Sequence, residues 1–173
     1  MVGYDVQSAV DTKHQLIVTH EGTNVGSDRS QLSRMTEQAR AAIGSETIEA
    51  VADRGYYSGE EIVACEQAGI TVYLPKPITS GLLAKGRYGK QDFVYVVADD
   101  VYLCPAGEQL AYHYTNEEEG KTLRRYWTNA CQACELKRKC TTGKERRISR
   151  WEHEAVLEAV QARLDRNPAK MRE

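Results

Sequence analysis

Long apolar runs are absent from this 173-residue sequence. No stretch approaches the roughly 18 apolar residues that a membrane-crossing helix needs. The opening, MVGYDVQSAVDTKHQ, has no basic start followed by an apolar run, so nothing in it points to secretion. We therefore expect a cytoplasmic protein with no membrane partner. Histidine is scarce: His14, His20, His113 and His153 are scattered. None has a second metal ligand at a recognisable spacing, which leaves turn and surface roles for all of them. Ser, Thr and Cys show no nucleophile elbow and no paired base, which argues against covalent hydrolysis. The glycine-rich stretch lacks the Lys-Ser/Thr ending of a phosphate-binding loop, so nucleotide binding has no support.

What is present is an ordinary globular composition, 41% hydrophobic and 28% charged, enough for one domain or for a core with a small insertion. The formal net charge of −2 hides a division. Residues 121–150 hold ten Lys or Arg against Glu135 and Glu145. Residues 1–120 hold nine basic and eighteen acidic side chains. A local positive field of that kind favours a polyanion such as nucleic acid; a charged, solvated face is the alternative.

Periodicity gives the element order. YDVQSAVD alternates as a strand, with Val6, Ser8 and Val10 on one face, and LIVTHEGT returns beside it as a hairpin. SDRSQLSRMTEQARAAIG predicts a helix with Asp28 and Gln31 at capping-box spacing, an inner face of Leu32, Met35, Ala39 and Ile43, and a stop at Gly44. ETIEAVA is a strand, Ser58 and Glu61 cap a helix running through Ala68, and ITVYLP is the next strand. Strand, helix and strand so closely spaced predict a parallel βαβ unit. We expect PKPITSGLLAKGRYGK to be a mobile linker, DFVYVVADDVYLCP and QLAYHYTN to form short antiparallel strands, and residues 149–166 to form a last helix capped by Ser149 and Glu152.

Two constellations carry chemistry. Asp53 ends a strand in VADRGYYSGEEI, where ligands of open α/β sheets collect; the plainer reading is an Asp that starts a turn. Tyr56 and Tyr57 can pack beside it or stack on a base. Cys131 and Cys134 form a C-x-x-C pair, Cys140 follows, and Cys104 stands in a CPAGE knuckle. Four thiolates from two separated knuckles suit a tetrahedral structural Zn²⁺; the alternative is four reduced thiols in a small hydrophobic cluster. Cys65 is expected to be buried on the second helix. Basic residues surround the cysteines, so Arg124, Arg125, Lys137, Arg138, Lys139, Lys144, Arg146 and Arg147 are candidate contacts to a nucleic-acid backbone. Tyr126 and Trp127 offer stacking surfaces or, alternatively, core packing.

VADRGYYSGEEI, together with VGYDVQSAVD and HQLIVTHEGTNVGSDRSQL, closely resembles the DDE transposases of bacterial insertion sequences. The resemblance runs from Val2 to about Pro77 and resumes in CPAGEQL, CQACELKRKCTTGKERRI and RWEHEAVLEAVQARL. It implies a ribonuclease H-like α/β fold with a mixed sheet. Residues 1–77 would be a partial core, 78–148 a linker and Cys-rich basic insertion, and 149–173 a helix returning toward the core. It implies metal-dependent phosphoryl transfer on DNA, with Mg²⁺ or Mn²⁺ held by three acids. Asp53 would be the second of these. The strand expected to carry the first Asp is not in the sequence, Asp11 and Asp28 are poor substitutes, and Glu173 lies outside the expected motif. We expect a fragment, inactive alone, whose partners are insertion-sequence DNA and further copies in a transposition complex. The competing readings are a non-catalytic, zinc-stabilised DNA-binding module or remnant, and an unrelated zinc-stabilised structural protein. A core without its first strand is also expected to be poorly soluble or partly molten.

Overall fold

The computed structural model describes residues 5–77 and 81–172. Tyr4, positions 78–80 of the expected linker, and Glu173 lie outside the described residues. The chain divides into two compact units, Met1–Pro77 with Ala155–Glu173, and Ile78–Glu154. In chain order the strands and helices of the first part are β1 (Asp5–Val10), β2 (Ile17–Thr23), α1 (Leu32–Ile43), β3 (Glu49–Val51), α2 (Gly59–Gln67) and β4 (Thr71–Tyr73). There follow β5 (Val94–Val96), β6 (Val101–Leu103), β7 (Gln109–Glu118), β8 (Lys121–Trp127), α3 (Lys137–Cys140), β9 (Ile148–Trp151) and α4 (Glu154–Arg166). No described helix is long and apolar enough to cross a membrane.

In the first unit β1 and β2 form the expected antiparallel hairpin, with a bulge at Ala9/Val10. The face carrying Val6, Ser8 and Val10 points outward: Val6 is 68% exposed, and Ile17, the partner of Val10, is 67% exposed. Gln7 is the β1 side chain that goes inward. In α1, Leu32, Met35, Thr36 and Ala39 are buried at i, i+3, i+4 and i+7, the spacing of one helical face. Ile43, one turn further on, is exposed, so that face stops short of the helix end. Gly44 closes α1 at φ 70°, its N–H bonded to the carbonyls of Arg40 and Ala41, a left-handed cap that suits glycine. β3 and β4 are parallel, joined through α2 as a βαβ unit. Leu32, Ile62, Cys65, Ile70, Val72, Leu74 and Val160 make the core. From α4, Arg163 donates to the Val72 carbonyl and pairs with Glu66 at 2.8 Å.

Several expectations fail here for identifiable reasons. The mixed sheet is not continuous: β1–β2 and β3–β4 are separate two-stranded sheets. No described strand is hydrogen-bonded to the other edge of β1 or of β3. Asp28 does not cap α1; the cap position is Gln31, and Asp28 begins a 3-10 turn capped by Ser27. Glu61 does not close a capping box either, since its carboxylate accepts from the Ser33 N–H of α1. Ser149 lies in β9, where Ile148 and Arg150 alternate inward, and the last helix begins five residues later at Glu154. The described part of the linker carries two 3-10 turns, Leu83–Lys85 and Lys90–Asp92, and Tyr88 N–H bonds the Lys139 carbonyl at 2.8 Å.

The second unit is a five-stranded antiparallel meander in the order β5-β6-β7-β8-β9. Glu119 and Gly120, both at positive φ, make the tight turn between β7 and β8. Phe93, Tyr102, Leu110, Tyr126 and Ile148 form its core. Asp100 accepts from the hydroxyls of Tyr95 (2.6 Å) and Tyr126 (2.8 Å) and pairs with Arg124 at 2.5 Å.

Candidate functional site

Asp53 stands two residues past the end of β3 and is exposed. The plainer reading of it, an Asp that starts a turn, holds. Its carboxylate accepts the Gly55 N–H at 2.6 Å and so starts the 3-10 turn Arg54–Tyr56. The same carboxylate has a second acid for a neighbour. A Cβ added to Gly55 would meet Asp53 Oδ1 at 2.9 Å and Asp28 Oδ2 at 3.6 Å. A side chain at Gly55 would press on the Asp53 carboxylate, while Asp28 lies at an ordinary contact distance from the same point.

Asp28 is held there by a relay. The Tyr56 hydroxyl donates to Gln7 Oε1, and Gln7 Nε2 donates to Asp28 Oδ1 at 2.7 Å. Gln7 is 5% exposed, and both hydrogen bonds are partly buried, which strengthens them relative to bonds in open water. Burial, then the charges of Asp28 and Asp53, push the Tyr56 hydroxyl above its usual range, so it stays a donor at neutral pH. Asp5, Gln7, Ser27, Asp28 and Tyr56 line an open polar cleft of about 330 Å³. Hard oxygen donors in such a cleft suit a cation that keeps much of its water, as Mg²⁺ does. Yet no group of three His, Cys, Asp or Glu among the described residues is gathered to hold a metal ion. The fit is therefore partial: Asp28 and Asp53 both lie near Gly55, and among the described residues a closed set is not formed.

Sequence reasoning dismissed Asp28 as a helix cap and gave Gln7 no role. The signal that would have found Gln7 is its place opposite the Val6/Ser8/Val10 face of an alternating strand. Tyr56 and Tyr57 pack against the apolar core instead of standing free.

The four candidate thiols come together in the second unit. Cys104, Cys131, Cys134 and Cys140 all line one small cavity of about 20 Å³, with Tyr88, Phe93 and Leu110 around it. All are free thiols. Burial pushes the Cys140 thiol up, Arg146 pulls it down, and Cys131, Cys104 and Cys134 push it up again. Cys65, the fifth cysteine, is fully buried on α2 and pushed up by burial, as expected of a packing residue.

The basic candidates separate into two kinds. Arg124 and Arg125 are successive residues of β8 and face opposite sides of the sheet. Arg124 is paired with Asp100, Arg125 with Glu118, and Arg147 with Glu145. Lys137, Arg138 and Lys139 make up most of α3, and Lys144 lies in the loop beyond it. None of these four makes a close ion pair among the described residues, although the Lys144 charge helps hold the Glu145 carboxyl below its ordinary value, after the larger effect of Arg147. Tyr126 is fully buried, and the Trp127 ring is covered by His113, stacked at 3.4 Å, and by Arg147 at 4.9 Å. Neither ring is open to a base.

Comparison with known proteins adds one match. Residues 103–172 fit the family model described as the transposase DDE domain. That segment runs from the end of β6 through α4 and includes all four clustered cysteines, but not Asp53. No curated protein and no solved structure matches the chain. That match covers less than half of the chain, which over residues 103–172 is similar to the transposase DDE domain.

Proposed function

We propose that the chain is part of a DNA transposase, with one unit contributing to the metal-dependent strand-transfer site and the other gripping the DNA backbone. The observation that carries this reading is the family match over residues 103–172. The family in general works on DNA with a divalent metal such as Mg²⁺.

The first unit is read as part of a ribonuclease H-like core. Its support is the order hairpin, helix, strand, helix, strand, with an acid just past the first parallel strand. Asp53 is the metal-ligating carboxylate and Asp28 its neighbour, held by Gln7. A bound Mg²⁺ or Mn²⁺ would supply charge neutralisation to a phosphoryl group in flight. Two acids hold a metal pair poorly, so the chain alone does not cut DNA.

The second unit binds duplex DNA through Lys137, Arg138, Lys139 and Lys144, and through Arg147 where phosphate outcompetes Glu145. Contacts of this kind position the protein without reading sequence. With about four phosphates neutralised, log K should fall against log salt with a slope near −3.6. Fluorescence anisotropy on a labelled duplex across a salt series measures that slope. Binding that is absent, or indifferent to salt, defeats the reading. A nicking assay in Mn²⁺ tests the catalytic half: no product is expected from this chain alone.

A further inference from the structure

Four cysteines and one arginine in the second unit share a feature that DNA binding does not explain. Cys104 sits in the turn between β6 and β7. Cys131 and Cys134 lie in and just after the 3-10 turn Asn129–Gln132, and Cys140 ends α3. Three separated stretches of chain thus bring their thiols to the wall of a single cavity of about 20 Å³, room for one water-sized body. The local backbone is braced as ligand knuckles are. The Cys104 carbonyl accepts the Gly107 N–H at 2.9 Å, and the Cys134 carbonyl accepts the Lys137 N–H at 3.1 Å.

The second observation is Arg146. It lines the same cavity, its guanidinium lies 5.4 Å from the Phe93 ring, and its Nε is buried with no hydrogen-bond partner among the described residues. Buried side-chain donors are almost always paired. The cavity wall it shares has no carboxylate: besides the four cysteines and apolar residues it includes Tyr88, Thr141 and Lys137. Neutral thiols accept hydrogen bonds poorly, whereas thiolates accept them well, and a set of thiolates would also answer the guanidinium charge.

We propose that this cavity is a Zn²⁺ site, ligated by Cys104, Cys131, Cys134 and Cys140, with the Arg146 Nε–H donating to the thiolate set. Thiolate sulfur selects a soft or borderline dication over Mg²⁺ or Ca²⁺. Each sulfur gives up its proton to solvent as it binds, leaving a centre of net charge −2 that Arg146 and Lys137, both on the cavity wall, partly offset. The thiols lie around the cavity without closing into a ligand set; ligation draws the two knuckles inward over a void already of single-ion size. Clamping Cys134 to Cys140 also fixes the one-turn helix that carries Lys137, Arg138 and Lys139. The zinc site itself does not depend on the DNA-binding reading.

The test is a Co²⁺ titration of the full reduced chain, followed by displacement with Zn²⁺. One equivalent of Co²⁺ should give tetrahedral d–d bands with strong sulfur-to-cobalt charge transfer, and one equivalent of Zn²⁺ should remove them. Cys104→Ser should weaken the charge-transfer band and lower the affinity. Arg146→Met should keep the one-to-one stoichiometry and the tetrathiolate spectrum while lowering Zn²⁺ affinity about 10- to 100-fold, as loss of an outer-sphere partner does. Arg146→Lys should recover part of that loss. The proposal is overturned if the wild-type chain gives only the pale spectrum of octahedral cobalt, or if non-reducing mass spectrometry finds these cysteines joined as disulfides. It is equally overturned if Cys104→Ser binds with wild-type spectrum and affinity. An unchanged affinity in Arg146→Met removes the arginine from the site and leaves the thiols.

Discussion

Gln7 is the side chain on which the arrangement of the acids depends, and its removal is the sharpest test of the first unit. Gln7→Leu keeps the volume and takes away both relay hydrogen bonds, one from the Tyr56 hydroxyl and one to the Asp28 carboxylate. A neutral hydrogen bond contributes about 0.5–1.5 kcal/mol and one to a charged group about 1.5–3 kcal/mol. The open cleft lets water reach Asp28, which returns part of that loss, and leucine is at home in a buried position. We expect a net destabilisation of about 2 kcal/mol.

The two units carry different probes. Both tryptophans, Trp127 and Trp151, belong to the second unit, while α1, α2 and nearly all of α4 belong to the first. In urea, far-ultraviolet circular dichroism at the helix band follows the first unit and tryptophan fluorescence follows the second. With a slope of about 1–2 kcal/mol per molar urea, the dichroism midpoint of Gln7→Leu should fall by about 1–2 M. The fluorescence midpoint should not move. An unchanged dichroism midpoint would mean that Gln7 holds nothing in place. Equal falls in both midpoints would mean that the relay supports the whole chain and not the acid pair.

Asp53→Asn should leave stability within about 0.5 kcal/mol of wild type, because the amide oxygen still accepts the Gly55 N–H, whereas Asp53→Ala should cost about 1 kcal/mol in the same dichroism assay; equal losses would discount the capping bond. Burial raises the Asp100 carboxyl, but hydrogen bonds from Tyr95 and Tyr126 and the Arg124 charge outweigh it and leave it below its ordinary value. The second unit should therefore hold that contribution above about pH 4 and lose it as pH falls through the lower folded value, a dependence that Asp100→Asn should flatten in fluorescence-monitored unfolding. Reversing Lys137, Arg138 and Lys139 to Glu should weaken duplex binding at least tenfold and flatten its salt slope; an unchanged slope would move the DNA contact elsewhere. Val6→Thr with Ile17→Thr should raise the soluble yield of the chain without lowering its dichroism midpoint, which sedimentation after expression would measure.

What could be read from the residues was local. The hairpin, the helix stop at Gly44, the βαβ unit and the strand-end address of Asp53 all follow from patterns spanning fewer than thirty residues. What could not be read depends on pairing at a distance. Ser149 looks like a cap because Glu152 stands three residues on, yet Arg125 and Ser149 are paired across β8 and β9, and the ladder overrides the cap. Asp28 looks like a cap for the same reason, and only the return of β1 brings Gln7 to it. The four cysteines singled out by spacing line one cavity, but the basic residues around them do not act as one cluster. Their partners Asp100, Glu118 and Glu145 show that three of the eight neutralise charge within the unit.

The first unit has little sheet to stand on. A two-stranded ribbon is marginal in water on its own, and the described residues of this unit form two of them, with the outer edges of β1 and β3 unpaired among those residues. Its order must come from helix packing, and the buried side chains bear this out: Leu32 of α1, Ile62 and Cys65 of α2, and Val160 of α4 meet Val72 of β4 in one cluster. The hairpin adds only Gln7 to the interior while presenting Val6, Val10 and Ile17 to solvent. Gln7 is thus both the hairpin's one buried anchor and the support of Asp28. The hairpin is held most firmly at the acid pair, and losing that anchor should loosen it before the helices yield.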